Sequence, residues 1–349
     1  MKSVVVHTGG KMSVEESPMP ELNAPDDVLV CVAYSGLCGS DIPRIFSNGA
    51  HFYPITLGHE FSGHVVSTGT ECGDLQEGDA VVCVPLLPCF QCEECCKAAY
   101  SQCKHYQFIG SRRDGGHAEF VVVSRKNLFR LPKGTSLMQG AFFEPITVGL
   151  HALKLAGGCE GKEVVVIGAG TIGQLIIQAA AALGAKSVTA IDINPRRLDL
   201  ALSTGATHAC DSAIMSEEEI RQHSHERRFN QLILETAGTP QTVALALDIA
   251  GPKAQVALVG TLHKDLTLNV VTFSHILRKE LTILGSWMNY SAPWPGSEWQ
   301  QATQLFAENK MNLEPLIASL STPEEFVTDV ISLAGKPMTG KILLDMTGR

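Results

Sequence analysis

The chain has 349 residues, 45% of them apolar and 18% charged, which is long for a single core and ordinary for a globular protein of two domains. That composition excludes a disordered or collagenous chain. A formal net charge of −9 excludes nonspecific nucleic-acid binding, which needs a basic face, and obliges any anionic ligand to meet a local cluster of cations or N–H groups.

Up to about residue 145 the chain reads as β-rich. DDVLVCVAYSG, FSGHVVSTG, DAVVCVP and HAEFVVVSRKNLFRLP are short apolar runs punctuated by Gly, Pro and Asp, with no sustained helical period. Inside this part, at about 88–105, Cys89, Cys92, Cys95 and Cys103 make the run Cys-x2-Cys-x2-Cys-x7-Cys. Four thiolates so spaced can close tetrahedrally on Zn²⁺ at about 2.3 Å each. The lobe has little apolar core, so a metal would supply its folding free energy. The alternative is a disulfide knot, which the absence of a secretory leader in MKSVVVHTGGKM disfavours. Cys96 is left out by the spacing unless it exchanges register with Cys95. An odd total of eleven cysteines and no leader lead us to expect a reducing, cytoplasmic setting.

From Glu144 the pattern changes. EPITVGLHALKLA reads as a helix joining two domains, and an α/β alternation follows. EVVVIG, SVTAID, THACD, QLILETAG, AQVALVG and ELTILGS are six short strands separated by helices, among them a polar one around 217–227. Alternation of this kind predicts a doubly wound parallel α/β sheet. The apolar stretch 164–185 imitates a membrane span, but its glycines and its break from β-branched to Ala/Leu-rich composition fit a strand and a helix better; no membrane association is expected. After Gly285 come all three tryptophans, an amphipathic helix and a last strand, KILLDM. The simplest layout is a discontinuous first domain, 1–146 plus 287–349, with a nucleotide-binding fold at 147–286 inserted.

The strand EVVVI runs into Gly168-Ala169-Gly170-Thr171-Ile172-Gly173 and then a helix, and Asp192 ends the next strand 19 residues after Gly173. Gly168 permits the tight turn, Gly170 lets the backbone approach a pyrophosphate, and Gly173 allows close helix–strand packing. Asp192 should accept from the adenine-ribose hydroxyls and favour NAD, while Arg196 and Arg197 keep NADP open. GLCGSD, GHEFSGHV and FFEPITVGLHA each present one plausible zinc ligand: Cys38, His59 and Glu144, with Glu60 as a competitor. Three protein ligands and an open position make a catalytic zinc site.

On GHEFSG, the four-cysteine lobe and GAGTIG, the whole chain resembles the zinc-dependent medium-chain alcohol and polyol dehydrogenases. The segments SGLCGSDIPRIFSNGAHFYPITLGHEFSG, CVPLLPC, FIGSRRDGG and GSWMNYSAPWPG resemble the branch that acts on hexitol phosphates. The resemblance implies a six-stranded Rossmann domain set in a GroES-like catalytic domain, and NAD as hydride acceptor. It further implies two zincs per subunit, one structural at the four cysteines and one catalytic at Cys38, His59 and Glu144, where Glu60 and Glu144 exchange roles in some relatives. A homodimer or homotetramer is the usual assembly. Ser40 resembles the family hydroxyl that passes the substrate proton toward solvent, and Asp41 is placed to orient His59. The histidine that some relatives carry five residues after the ligand cysteine is Pro43 here, so water or His51 would complete the relay.

Sorbitol dehydrogenases grip polyol hydroxyls with an arginine whose position falls on Met288 here, beside Asn289, which we place among the substrate residues. Arg44, Arg112 and Arg113 are then candidates to clamp a substrate phosphate, with a salt bridge to Asp41 or Asp114 as the bland alternative for each. The competing functions are dehydrogenation of an unphosphorylated polyol or of threonine, and a non-catalytic nucleotide-binding protein. The last would be expected to lose open-site ligands, which this chain keeps.

Overall fold

The computed structural model describes residues 1–224, 229–336 and 338–348. Its contacts divide into two units: Met1–Glu144 with Tyr290–Trp299 and Leu316–Arg349, and Pro145–Asn289 with Gln300–Pro315. Residues 300–315 therefore belong to the second unit, where the sequence reading had put them in the first. The reason is local: Asn312 donates its N–H to Gln178 Oε1 (2.7 Å) and accepts from Gln178 Nε2 (3.1 Å), which ties the segment to the helix Thr171–Ala182.

In the first unit the strand Asp27–Gly36 is central. Its alternating Val28, Val30 and Val32 are fully buried and pack with Phe61, Val65, Val81, Val121 and Leu128, as a period of two requires when one face is covered. Among the described residues its sheet runs Leu128–Arg130, Ala80–Cys83, Glu60–Thr68, Asp27–Gly36, Lys341–Asp345 and Ile317–Ser321, and Phe120–Ser124 also pairs with the central strand. Three strand ends meet at one margin. Gly36 lies opposite Glu60 on one side and opposite Leu343 on the other, and Leu37 N–H bonds the Ile342 carbonyl at 2.9 Å. The chain then turns through Cys38 into the short helix Asp41–Phe46. A Cβ at Gly36 would come within 2.5 Å of Glu60 Oε2, so the carboxylate occupies the space that any other residue would fill.

His117 is buried in this unit, with Nδ1 2.9 Å from Ser35 Oγ, its ring edge-on to Phe326 at 4.9 Å, and Nε2 without a partner. Burial, reinforced by His59 and Lys341 against the opposing field of Asp41, holds its pKa at about 4. The unfolded chain keeps an imidazole near the ordinary value of 6.5 and binds more protons than the folded one between these values. Stability therefore falls as pH drops through that window. The expected contribution is a loss of about 2 kcal/mol between pH 7 and pH 5, absent in His117→Gln; urea midpoints at the two pH values check it.

The second unit carries a parallel sheet in the spatial order His208–Asp211, Ser187–Asp192, Glu163–Ile167, Gln231–Glu235, Gln255–Leu258 and Thr282–Gly285. Numbered within the unit this is 3-2-1-4-5-6, an order of the doubly wound class expected from the sequence. The strands Glu163–Ile167 and Ser187–Asp192 are buried throughout, as strands covered on both faces are. The polar helix spans Glu217–His223, and residues 225–227 of the expected span lie outside the described residues. Beside the edge strand Thr282–Gly285, the helix Val270–Arg278 exposes Val270 (81%), Val271, Phe273 and Leu277. Among the described residues no helix is long and apolar enough to cross a membrane.

Candidate active site and metal centres

The lobe first. Cys89, Cys92, Cys95 and Cys103 bring four sulfurs within 4.8 Å of one another. Cys89 and Cys95 Sγ are 4.0 Å apart and Cys92 and Cys103 Sγ 3.8 Å, and none is in a disulfide. Four sulfurs each about 2.3 Å from one ion would stand about 3.8 Å apart, whereas a disulfide needs about 2.05 Å. The donor set fits a closed tetrahedral zinc. N–H groups of Cys89, Cys92 and His105 point at Cys103 or Cys89 sulfur at 3.3–3.4 Å. Donation from the Gln91 and Cys92 backbone brings the Cys89 thiol down to about 6, the direction a thiolate ligand requires. Cys96 is exposed and its thiol faces the Gln91 carbonyl, so the register exchange with Cys95 does not occur.

At the sheet margin a second group gathers. Donor atoms of Cys38, His59 and Glu60 lie within 4.8 Å of one another, and thiolate, imidazole and carboxylate together suit zinc. Burial, with Glu60 and Asp41 adding their charge, pushes the Cys38 thiol well above its usual range. A proton there would be displaced by a bound cation. His59 directs Nδ1 toward Asp41 Oδ1 at 3.8 Å, beyond hydrogen-bond reach, and this nitrogen is buried without a partner. Phe108 meets the His59 ring edge-on at 5.5 Å. Asp41 is itself fully buried, and it accepts from Cys38 N–H (3.3 Å) and Arg44 Nη1 (3.0 Å). Ser40 Oγ lies 3.3 Å from Cys38 Sγ and accepts from Arg44 Nη1 at 2.9 Å.

Glu60 rather than Glu144 completes this group. Glu60 opens its strand directly across from Gly36, which puts its carboxylate at the Cys38 turn. Glu144 is buried on the helix Phe143–Leu155 and reaches the site through its field, raising the proton affinity of Cys38 and Lys341, but its carboxylate is outside the cluster. A residue missed from the sequence is Lys341. Its ammonium, 3% exposed, is 2.5 Å from Glu60 Oε2 and 3.1 Å from the Leu37 carbonyl. Burial opposes its charge, and Glu60 and Cys38 more than offset this, so its pKa is raised. The one signal available was a lysine placed directly before the apolar run 342–344 of the strand KILLDM.

The glycine loop of the second unit has the expected geometry. Gly168 adopts φ +92°, and a Cβ there would stand 2.9 Å from Ala237. A Cβ at Gly173 would run into the Gly168 carbonyl, and at Gly170 nothing lies within 4 Å, which leaves the backbone approachable. Thr171 and Ile172 begin the helix, with Gly170 at its N-cap. Asp192 does more than the sequence suggested: Oδ2 accepts from Ala169 N–H at 2.7 Å and Oδ1 from Asn194 N–H at 2.9 Å, so it also braces the loop. Arg197 Nη1 is 3.5 Å from Asp192, and Arg196 opens the next helix behind the Asn194 cap.

Of the substrate candidates, Arg44 has the salt bridge to Asp41 foreseen as its alternative, and Arg113 is exposed. Asn289 is fully buried in the second unit, where its amide donates to Thr147 Oγ1 at 2.6 Å.

Residues 24–133 match the alcohol dehydrogenase GroES-like domain and residues 171–308 the zinc-binding dehydrogenase domain. Over 344 residues, 99% of each chain, the sequence is 61% identical to galactitol 1-phosphate 5-dehydrogenase of Escherichia coli (strain K12). The chain belongs to the zinc-binding alcohol dehydrogenases. The crystal structure of that E. coli enzyme superposes on this dehydrogenase with a TM-score of 0.97, covering 99% of this chain and 100% of the other. D-xylulose reductase A of Aspergillus niger is 30% identical over 89% of this dehydrogenase and 87% of its own length. A zinc-binding dehydrogenase of Sinorhizobium meliloti 1021, solved with NADP bound, is 30% identical, with a TM-score of 0.88 and coverage of 99% and 98%. Membership makes this dehydrogenase an enzyme and sets aside the non-catalytic reading.

Proposed function

We propose that the enzyme oxidises galactitol 1-phosphate at carbon 5 to tagatose 6-phosphate, with NAD⁺ taking the hydride and one proton released. The observation that carries the substrate is 61% identity across essentially the whole of both chains to an enzyme of that name. The carboxylate of Asp192, braced on the glycine loop, supports NAD as the acceptor.

Cys38, His59 and Glu60 would hold the catalytic zinc, whose Lewis acidity lowers the pKa of a bound hydroxyl, as zinc lowers that of water from 15.7 to about 7. The rest falls to the protein's own groups. Ser40 Oγ, exposed and beside the Cys38 sulfur, takes the substrate hydroxyl proton and hands it to water. Arg44 fixes that hydroxyl and Asp41 together through one nitrogen. The buried carboxylate of Asp41, 3.8 Å from His59 Nδ1, places negative charge on that side of the ring. The four-cysteine lobe is a structural site with no open position. A cytoplasmic setting accords with eleven unpaired cysteines.

NADH formation followed by absorbance over galactitol 1-phosphate, galactitol, sorbitol, xylitol and threonine decides the substrate. We expect kcat/KM to be largest for the phosphorylated hexitol. A bare polyol or threonine turned over as efficiently would overturn the assignment.

A further inference from the structure

A substrate phosphate needs a receptor that the metal centre does not provide. Beside the Cys38 turn, two arginines and a histidine arrive on three separate segments. Arg44, on the helix Asp41–Phe46, has Nη1 engaged by the Ser40 carbonyl (2.8 Å), Ser40 Oγ (2.9 Å) and Asp41 (3.0 Å). His51 stands exposed on the loop that follows this helix. That loop is tied down at both ends. Gly49 N–H bonds the Pro43 carbonyl at 3.1 Å, and the Tyr53 hydroxyl accepts from Ala50 N–H (3.1 Å) while donating to the Arg44 carbonyl. At the far end Thr56 N–H bonds Asp114 Oδ1 (2.9 Å) and the Thr56 carbonyl accepts from Gly115 N–H (2.8 Å). This second tie joins the His51 loop to the turn that carries Arg112.

Arg112 N–H bonds the carbonyl of Phe108 at 2.9 Å, and the Phe108 ring is the one set edge-on against His59. Its guanidinium lies over the Tyr106 ring, 4.4 Å from the centroid, with Nη2 3.3 Å from the Tyr106 hydroxyl. Among the described residues no carboxylate pairs with it. Asp114, its neighbour in sequence, is engaged by Thr56 instead. Partial burial, then the fields of Arg112 and Arg44, depress the proton affinity of His51, so both arginines act on this imidazole. A stacked guanidinium with one nitrogen on the Tyr106 hydroxyl is held rigid and keeps further N–H donors for a ligand, the presentation that suits a phosphate. In a chain of net charge −9, the carboxylate-free guanidinium of Arg112, on a turn tied to the loop that carries the imidazole of His51, makes a local anion receptor.

Resting on the substrate reading above, we propose that His51 and Arg112 bind the phosphate of the hexitol phosphate and set the preference for it over the bare polyol. Arg44 is a positioning residue for Ser40 and Asp41.

The test uses the full zinc- and NAD-loaded enzyme. In His51→Ala and in Arg112→Met, KM for galactitol 1-phosphate rises roughly ten- to hundredfold, the range of a lost hydrogen bond to a charged group, while kcat changes less than about threefold. Inorganic phosphate competes with substrate in the wild type, and its inhibition constant rises in the same two variants. Arg112→Lys, which keeps the charge without the fork, recovers part of the affinity. KM and the phosphate inhibition constant both unmoved would overturn the assignment, and so would kcat falling at constant KM. Should the wild type oxidise only bare polyols, the substrate reading fails by itself, and phosphate inhibition measured against that polyol then decides whether the anion site stands.

Discussion

Cys38→Ser lowers kcat/KM by about 10³-fold or more while leaving NADH binding intact. Cys38 is the only soft ligand in its group, and serine neither ionises in its place nor reaches zinc at a thiolate's distance. Loss of Lewis-acid polarisation removes several kcal/mol of transition-state stabilisation, and each 1.36 kcal/mol is tenfold in rate. The variant also frees Ser40 Oγ from its sulfur partner, so the proton route and the metal fail together. Metal analysis should show the four-cysteine lobe still loaded. Cofactor fluorescence should show NADH bound as in the wild type, because the glycine loop and Asp192 belong to the other unit. Activity retained in a protein that has lost this metal would contradict the account.

Lys341→Met destabilises the first unit by about 3–5 kcal/mol, the cost of removing one partner from a buried ion pair. Lys341 and Glu60 are both nearly inaccessible, so the orphaned carboxylate has no water to turn to. Methionine fills a similar volume, which separates the charge effect from a cavity. A cation on Cys38, His59 and Glu60 would replace part of the missing positive charge. The loss is therefore expected to be larger after chelation than with zinc present, and melting curves of the first transition in both states check this. Equal losses in the two states would mean that Glu60 does not face the metal.

Much of this architecture is legible in the sequence because it rests on local pattern. Six short runs alternating with helices point to a doubly wound parallel sheet, and the turn from EVVVI into Gly168–Gly173 is demanded by backbone sterics that favour glycine. The cysteine lobe is legible because its ligands fall within fifteen residues, 89 to 103. What stayed hidden depends on long-range placement. The choice of Glu60 over Glu144 turns on which carboxylate the sheet margin aims at Cys38, and neighbouring sequence does not encode that aim. Lys341 meets Glu60 across 281 residues, so no motif joins them. The 300–315 segment changes unit through two bonds to Gln178 that composition cannot reveal. Arg44 and Arg112 look alike as letters, yet only Arg44 has a carboxylate partner. The homo-oligomer implied by resemblance corresponds to no motif in the sequence either.

Zinc-edge X-ray absorption on the wild type and on Cys38→Ser reads the metal centres directly. Two zincs per chain are expected in the wild type, one ringed by four sulfurs and one by a single sulfur with nitrogen and oxygen. In the variant, one zinc in an all-sulfur shell should remain. A wild type carrying only the all-sulfur zinc would contradict an active site built on Cys38, His59 and Glu60.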